Sequence, residues 1–168
     1  GTKNDLIIIG FIPKLKFNSL RDFLTLKFVL SYFYNYLLIA KWKKLYGKIG
    51  VAKFISDNNS FNFLCFSRAI KVFKNLKKKE DVINIKYNEL FIGDLIYDGY
   101  VRYFNSPTIK LDYKLLTMLH HSILLYHKID SLTIKYDIKY FITNYTNYSN
   151  SGTPVRKLLS NGIKTFAV

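Results

Sequence analysis

The stretch that decides the fold is Asn88–Asn105, which reads NELFIGDLIYDGYVRYFN. It begins with apolar, β-like residues, passes through Gly93 and continues with charged side chains at helical spacing. Asp94, Asp98 and Arg102 are each four residues apart, so on a helix they share one face. The pattern predicts a strand-like start followed by a helix. Its charged face is either an ion-pair ladder or one wall of a cleft.

Short apolar segments alternate with helical patterns along the rest of the chain. Strands are predicted at Asp5–Phe11, Gly50–Ser56, Tyr140–Thr143 and Ile163–Val168. Helices are predicted at Ser19–Tyr46, Phe61–Leu76, Tyr113–Ile129 with Asp112 as its cap, and from Pro154 to the Asn161-Gly162 stop. This alternation is typical of βαβ units. The predicted fold class is therefore α/β, with a Rossmann-like, mostly parallel sheet flanked by helices, in one domain over residues 1–168.

The helix at 61–76 carries two patterns that predict how it packs and where it ends. An apolar stripe at helical spacing is predicted to face the core, and it consists of Phe63, Phe66, Ile70 and Phe73. The lysines at 77–79 suit the last turn and exit of this helix, where cations complement the macrodipole. Cys65 has apolar neighbours and is expected to be buried, and as the single cysteine it allows no internal disulfide.

Composition and charge limit the class of protein that this can be and the kind of partner that it can bind. A chain of 168 residues that is 49% hydrophobic and 17% aromatic is not a disordered chain. A net charge of +15 favours an anionic partner, such as nucleic acid, an acidic membrane or a phosphorylated ligand. The alternative is codon bias, because Lys, Asn, Ile, Tyr and Phe all have A/T-rich codons. Lysines far outnumber arginines, whereas nucleic-acid interfaces favour arginine, so nucleic acid is not the favoured partner.

The predicted helix at 19–46 contains thirteen uncharged residues between Lys27 and Lys41. A core helix is the favoured interpretation. A helix lying on a membrane surface, with Trp42 and neighbouring lysines at the interface, is the alternative. A membrane span needs about 20 apolar residues, which is more than this stretch has. The N-terminus has no secretory signal pattern, and the chain stops inside a strand-like segment, so we expect a cytoplasmic domain of a longer protein.

The common catalytic and cofactor motifs are absent from the sequence. There is no dinucleotide-binding glycine pattern, no P-loop and no nucleophile elbow. His120, His121 and His127 fall on one predicted helix, without the added carboxylate or H-E-x-x-H pattern of a metal site. We therefore expect surface or core-edge histidines, no metal and no cofactor.

The loop-to-helix junction Thr143–Arg156 is the second place where chemistry is expected. A strand, a polar loop with Gly152 and a helix N-terminus put backbone N–H groups at the carboxyl end of a strand. In open α/β sheets ligands bind there, and anions are favoured. Arg156 lies in the first turn of that helix and is predicted to point toward the same site.

The segment Ile92–Arg102, IGDLIYDGYVR, resembles one found in GT-B type glycosyltransferases of bacterial surface polysaccharide (capsule or lipopolysaccharide) biosynthesis. Their N-terminal half has a segment of the type IGDLIYDSYLR. Gly99 stands here at the serine position and Val101 at the leucine position. The resemblance covers roughly the part of the chain from Lys77 onward and is weaker before residue 50.

A second motif of the same family follows downstream, with the form H-x-x-Y-x-x-x-G-x-x-x-R. Tyr148, Gly152 and Arg156 keep this spacing, and a small helix, a glycine and a strand follow as in the family. Tyr145 stands where the family has histidine, so a proton-transfer role at that position does not carry over.

The resemblance implies one Rossmann-like domain of a two-domain enzyme. In that family the N-terminal domain mainly binds the acceptor and the C-terminal domain holds the nucleotide sugar, so we expect the isolated chain to be inactive. The implied partners are a nucleotide sugar, a glycan or lipid-linked acceptor, and the inner face of the membrane. The candidate catalytic residues are Asp94 and Asp98, and the candidate ligand-binding residues are Arg102, Tyr148, Gly152 and Arg156. The two segments are predicted to meet at the carboxyl edge of one sheet.

A non-catalytic function is the competing hypothesis. A basic domain with interleaved tyrosine and phenylalanine is also suited to binding an anionic membrane or a nucleic acid.

Overall fold

The computed structural model describes the backbone of residues 7–11 and 53–57, five helical positions between 37 and 45, and residues 62–167. The chain divides between Ser60 and Phe61 into two compact units. In the first unit, strand β1 (Ile7–Phe11) pairs in parallel with strand β2 (Lys53–Asp57). Both predicted strands are thus confirmed. Most of the predicted helix at 19–46 lies outside the described residues.

The second unit contains five helices and two further pairs of strands within residues 62–167. The helices are α1 (Phe63–Lys74), α2 (Lys79–Ile83), α3 (Gly93–Phe104), α4 (Tyr113–Lys135) and α5 (Thr153–Ser160). The strands are β3 (Lys86–Tyr87), β4 (Leu90–Phe91), β5 (Tyr140–Thr143) and β6 (Lys164–Ala167). A π-helical turn, Tyr148–Gly152, precedes α5. The described residues thus form a mixed α/β structure in which helices predominate, and β5, α5 and β6 form a parallel βαβ unit.

The buried face of helix α1 is only partly the one that its phenylalanines predict, since Phe73 packs against the core and Phe66 against His120, but Phe63 does not. The Asn62 side chain caps it by accepting a hydrogen bond from Cys65 N at 3.0 Å. Cys65, as expected, and Ala69 are buried, whereas Phe63 is 73% exposed. The predicted stripe is therefore wrong at its first residue. Small side chains let the backbone of α1 approach α4, its main packing partner.

Lysines 77–79 do not belong to the end of α1, so that prediction is wrong. Helix α1 ends at Lys74, and its cap is Asn75. The Asp81 carboxylate accepts hydrogen bonds from the backbone N–H groups of Lys77 and Lys78, at 2.8 and 3.0 Å. These bonds start α2, because a carboxylate in the first turn satisfies free N–H groups and complements the dipole.

The stretch 88–105 forms a hairpin turn, a short strand and a helix. Asn88 and Glu89 both have positive φ, 44° and 65°, and form the two-residue turn between β3 and β4. Gly93, the first residue of α3, is buried against α2. A Cβ at this position would overlap the carbonyl oxygens of Val82 and Ile83. The predicted change from strand to helix at Gly93 is confirmed.

Helix α4 is the centre of the core in this unit. Asp112 caps it as predicted, accepting from Lys114 N at 3.0 Å and Leu115 N at 3.2 Å. Tyr100 of α3 donates its hydroxyl to the other Asp112 oxygen at 3.0 Å; burial and this bond raise the pKa of Tyr100 to about 12. The helix continues beyond the predicted end at residue 129 to Lys135, although Ile129 is its last buried residue. No helix in the described part of the chain has the length and apolar character that crossing a bilayer requires.

Two glycines of α3 give a matched test of this packing. We expect Gly93→Ala to lower the free energy of unfolding by about 3 kcal/mol, since its Cβ would overlap backbone atoms that cannot move freely. Gly99→Ala should change it by less than about 1 kcal/mol. The only atom that its Cβ would approach too closely is the flexible end of Met118, at 2.8 Å, since Ser149 Oγ at 3.5 Å is at ordinary contact distance, and alanine favours the helix. Urea unfolding followed by circular dichroism measures both, and equal losses would contradict the assigned packing.

Candidate functional site

The two segments that the sequence places in one cleft are in contact. Arg156 of α5 forms a two-pronged ion pair with Asp94 of α3: Nη1 lies 2.6 Å from Oδ1, and Nη2 lies 2.6 Å from Oδ2. The same Nη1 also donates to the carbonyl oxygen of Phe91 at 2.7 Å. One guanidinium therefore joins β4, the first turn of α3 and α5.

This pairing changes what Asp94 can do chemically. Hydrogen bonds from Arg156 hold the pKa of Asp94 below its usual value, against the opposing effect of burial. Both of its oxygens are already bonded, and its side chain is 40% exposed. A carboxylate in this state is a poor proton acceptor, so the geometry does not support the predicted role of Asp94 as a base.

A second contact joins the segments at the other end of α3. Arg102 Nη1 donates to the Tyr148 hydroxyl at 2.8 Å, and the guanidinium carbon lies 5.1 Å from the centre of the Tyr148 ring. Tyr148 has a φ of 61°, which is uncommon for a bulky side chain and costs about 1–3 kcal/mol. The surrounding contacts therefore hold a strained tyrosine beside an exposed arginine.

Asp98 lies between these two contacts on the same helix. It is exposed and forms no ion pair within residues 62–167. The i, i+4 ladder is therefore not formed, because Asp94 pairs with Arg156 and Arg102 binds Tyr148. Asp98 remains as a free carboxylate about 6 Å along the helix axis from each of its paired neighbours on α3.

Gly152 allows close packing between the π-helical turn and α3. It is buried, and a Cβ at this position would lie 2.5 Å from the carbonyl oxygen of Thr146 and 2.6 Å from Leu95 Cδ2. On α3, Gly99 faces the same turn, and a Cβ there would lie 3.5 Å from Ser149 Oγ. The absence of a side chain at Gly152 lets the π-helical turn approach α3, whereas a Cβ at Gly99 would be at ordinary contact distance from the turn. Gly152 is enclosed by protein atoms, which does not support its predicted ligand contact.

The start of α5 does not offer the open anion site that the sequence predicts. The π-helical turn runs directly into the helix, and the Thr153 N–H donates to the carbonyl oxygen of Ser149. Pro154 has no N–H to offer, and both Thr153 and Pro154 are buried. The backbone donors that an anion would need are thus used, missing or covered.

A further polar cluster was not found by sequence reasoning. The Tyr87 hydroxyl lies 2.7 Å from His127 Nε2, and Arg68 Nη1 contacts both groups. Burial, followed by the nearby Arg68 guanidinium, lowers the pKa of His127, so its ring is neutral at pH 7. These residues come from α1, β3 and α4, and no short-range pattern connects them.

The other histidines occupy the core side of α4. His120 and His121 are buried, and the ring of Phe66 meets that of His120 edge-on at 5.6 Å. Across the described residues, no group of histidine, cysteine and acidic side chains is placed to hold a metal ion.

Comparisons with protein-family models, with curated proteins and with solved structures find no match. The family resemblance of the two segments therefore stays a prediction. The contacts between those segments are the physical support for a functional hypothesis.

The Asp94–Arg156 pair predicts a specific pH dependence of stability. A carboxyl group whose folded-state pKa is depressed stabilises the fold above its unfolded pKa of about 4, and this contribution is lost as the pH falls through the folded pKa. We expect the free energy of unfolding of wild type to exceed that of Asp94→Asn by about 1 kcal/mol at pH 7, a value reduced by solvent screening. This advantage should be lost as the pH falls from about 4 through the lowered pKa of Asp94.

Urea unfolding of both proteins across this pH range measures the difference. Asp137→Asn is the control, because Asp137 pairs with Lys139 on the open surface and should leave the pH profile unchanged. If wild type and Asp94→Asn lost stability in parallel as the pH fell, the pair would not stabilise the fold.

Proposed function

We propose that this chain is the acceptor-side, Rossmann-like domain of a glycosyltransferase that transfers a sugar from a nucleotide sugar to a bacterial surface glycan. The observation that carries the proposal is the meeting of the two resembling segments. They contact each other through Asp94–Arg156 at one end of α3 and through Arg102–Tyr148 at the other. The parallel β5–α5–β6 unit is consistent with the proposed sheet.

The chemistry of sugar transfer assigns a separate task to each of these groups. The acceptor hydroxyl attacks the anomeric carbon of the donor, loses its proton to a base, and the nucleotide phosphate leaves. Asp98 is the proposed base, since its carboxylate is exposed and forms no ion pair among the described residues. Arg102 and Tyr148 offer donors that orient the acceptor beside it, and the strained backbone of Tyr148 fits a positioned binding group.

Asp94 and Arg156 have a positioning task in this proposal. Their two-pronged contact fixes α5 and the preceding turn against α3, which sets the distance between Tyr148 and Asp98. The nucleotide sugar is held mainly by a second domain, as the family resemblance implies. A lipid-linked acceptor would place the enzyme at the inner face of the membrane, where a charge of +15 is attracted to anionic lipids.

Substitution of two aspartates of α3 distinguishes the proposed catalytic role of Asp98 from the proposed positioning role of Asp94. In the complete gene product that contains this chain, we expect Asp98→Asn to lower kcat for sugar transfer by about 10²–10⁴-fold with an unchanged melting temperature. Asp94→Asn makes the same chemical change one helical turn away and should lower the melting temperature, because it breaks the pair with Arg156. Transfer from a panel of nucleotide sugars to surface-glycan acceptors provides the assay.

Binding of the acceptor can be measured on the present chain. Saturation-transfer NMR with acceptor oligosaccharides should show binding to wild type and reduced binding to Arg102→Gln. Full transfer activity in Asp98→Asn, or the absence of transfer with every donor tested, would refute the proposal.

A further inference from the structure

A basic pocket opens between α1, the β3–β4 hairpin and α4. Its volume is about 360 Å³, which lies at the lower end for small-molecule sites. It is lined by Arg68, Lys71, Val72, Tyr87, Asn88 and His127. No acidic side chain is among these residues, so the lining carries only positive and neutral groups.

The inner wall of the pocket is ordered by hydrogen bonds. Arg68 Nη1 donates to the Tyr87 hydroxyl at 3.4 Å, and that hydroxyl is positioned to donate to His127 Nε2 at 2.7 Å. The Tyr87 ring also meets the ring of Tyr126 edge-on, with 5.1 Å between centres. This network uses one nitrogen of the Arg68 guanidinium and leaves its other N–H groups available to a ligand.

The rim carries further donors. Lys71 and Asn88 are exposed, and Lys71 lies three residues after Arg68, so both cations leave the same side of α1. Within residues 62–167 no carboxylate pairs with either cation. Asp130, one turn beyond His127 on α4, is instead paired with Lys157 at 2.7 Å. The positive charge of the pocket is thus not compensated by the described residues.

We propose that this pocket binds a phosphate-type oxyanion, carried by a small phosphorylated molecule or by a lipid headgroup. Arg68 presents a planar fork that matches two oxygens of the anion, and Lys71 supplies a second charge. The Asn88 side-chain amide adds a neutral donor, and Val72 with the Tyr87 ring offers apolar surface to an organic substituent. This site is separate from α5 and from the proposed transferase residues, so either assignment can fail without the other.

Two lysines in the last turn of α1 provide a matched test, because Lys71 lines the pocket and Lys74 does not. Calorimetric titration of the 168-residue chain with inorganic phosphate and with glycerol 3-phosphate measures binding, at an ionic strength of about 0.15 M, where exposed charges more than about 8 Å apart are largely screened. We expect Lys71→Gln to weaken binding about tenfold, which corresponds to loss of one charge-assisted hydrogen bond. Lys74→Gln removes the same charge from the same helix turn and should change affinity by less than about twofold.

A second variant tests the shape of the site separately from its charge. Arg68→Lys keeps the charge but removes the fork, so it should weaken binding of the oxyanion at unchanged net charge. Circular dichroism melts of each variant show whether the fold is kept. Equal weakening by Lys71→Gln and Lys74→Gln, or no binding of phosphate and of anionic vesicles by wild type, would overturn the proposal.

Vesicles distinguish the two sources of the oxyanion. Sedimentation with phosphatidylglycerol vesicles, against phosphatidylcholine vesicles, is compared for wild type, Lys71→Gln and Lys74→Gln. Vesicle binding that is lost only in Lys71→Gln assigns the site to a lipid headgroup. Selective binding of glycerol 3-phosphate without vesicle binding assigns it to a soluble phosphorylated ligand. Vesicle binding that falls equally in both variants reflects general surface charge and counts against the pocket.

Discussion

The contact between Arg156 and Asp94 is the interaction on which the arrangement of the candidate site depends. Three elements meet at one guanidinium, because its two terminal nitrogens bind both carboxylate oxygens and the carbonyl oxygen of Phe91. Lysine has a single point charge and cannot reproduce this geometry. The pair is partly open to water, so its contribution is geometric more than energetic. It holds the π-helical turn against α3, and therefore determines where the Tyr148 side chain lies.

Close backbone packing makes that arrangement possible. Gly93 allows the start of α3 to pack closely against α2, and Gly152 allows the π-helical turn to pack closely against Leu95. Both contacts leave no space for a Cβ, so the glycines are explained by steric limits and not by flexibility. Around them, α4 contributes more buried apolar residues than any other element within residues 62–167. The polar contacts of the site thus lie on a densely packed support.

Local signals in the sequence predicted helices, strands and caps better than they predicted which residues contact each other in the fold. The Asp112 cap, the strand Tyr140–Thr143 and the Asn161-Gly162 stop each depend on neighbouring residues, and all three are found. The predicted buried stripe of α1 was wrong at Phe63, because the position of α4 decides which face of α1 is buried. The ion ladder was wrong because the partner of Asp94 lies 62 residues away.

The same distinction applies to the candidate sites. The two motifs were predicted to meet at the carboxyl edge of one sheet. They are in contact, but they follow strands of two different two-stranded sheets, and their individual roles differ from the expectation. Gly152 is enclosed by neighbouring atoms, the Asp94 carboxylate is paired with Arg156, and the backbone donors at the start of α5 are not open to a ligand. The Arg68–Tyr87–His127 cluster had no signal in the sequence, because its members are 19 to 59 residues apart and come from three elements. Residue types suggest chemistry, but only the fold decides which groups remain available.

The β3–β4 hairpin lies between the two candidate sites and belongs to both. Its first strand and turn supply Tyr87 and Asn88 to the basic pocket, while the carbonyl of Phe91 in its second strand receives Arg156. A ligand that shifts or orders this hairpin from one side changes the free energy of the contacts on the other. By thermodynamic linkage such an effect is reciprocal and equal in size for the two ligands. The hairpin is therefore an element that the two candidate sites share, and linkage of this kind would require that a ligand displaces it.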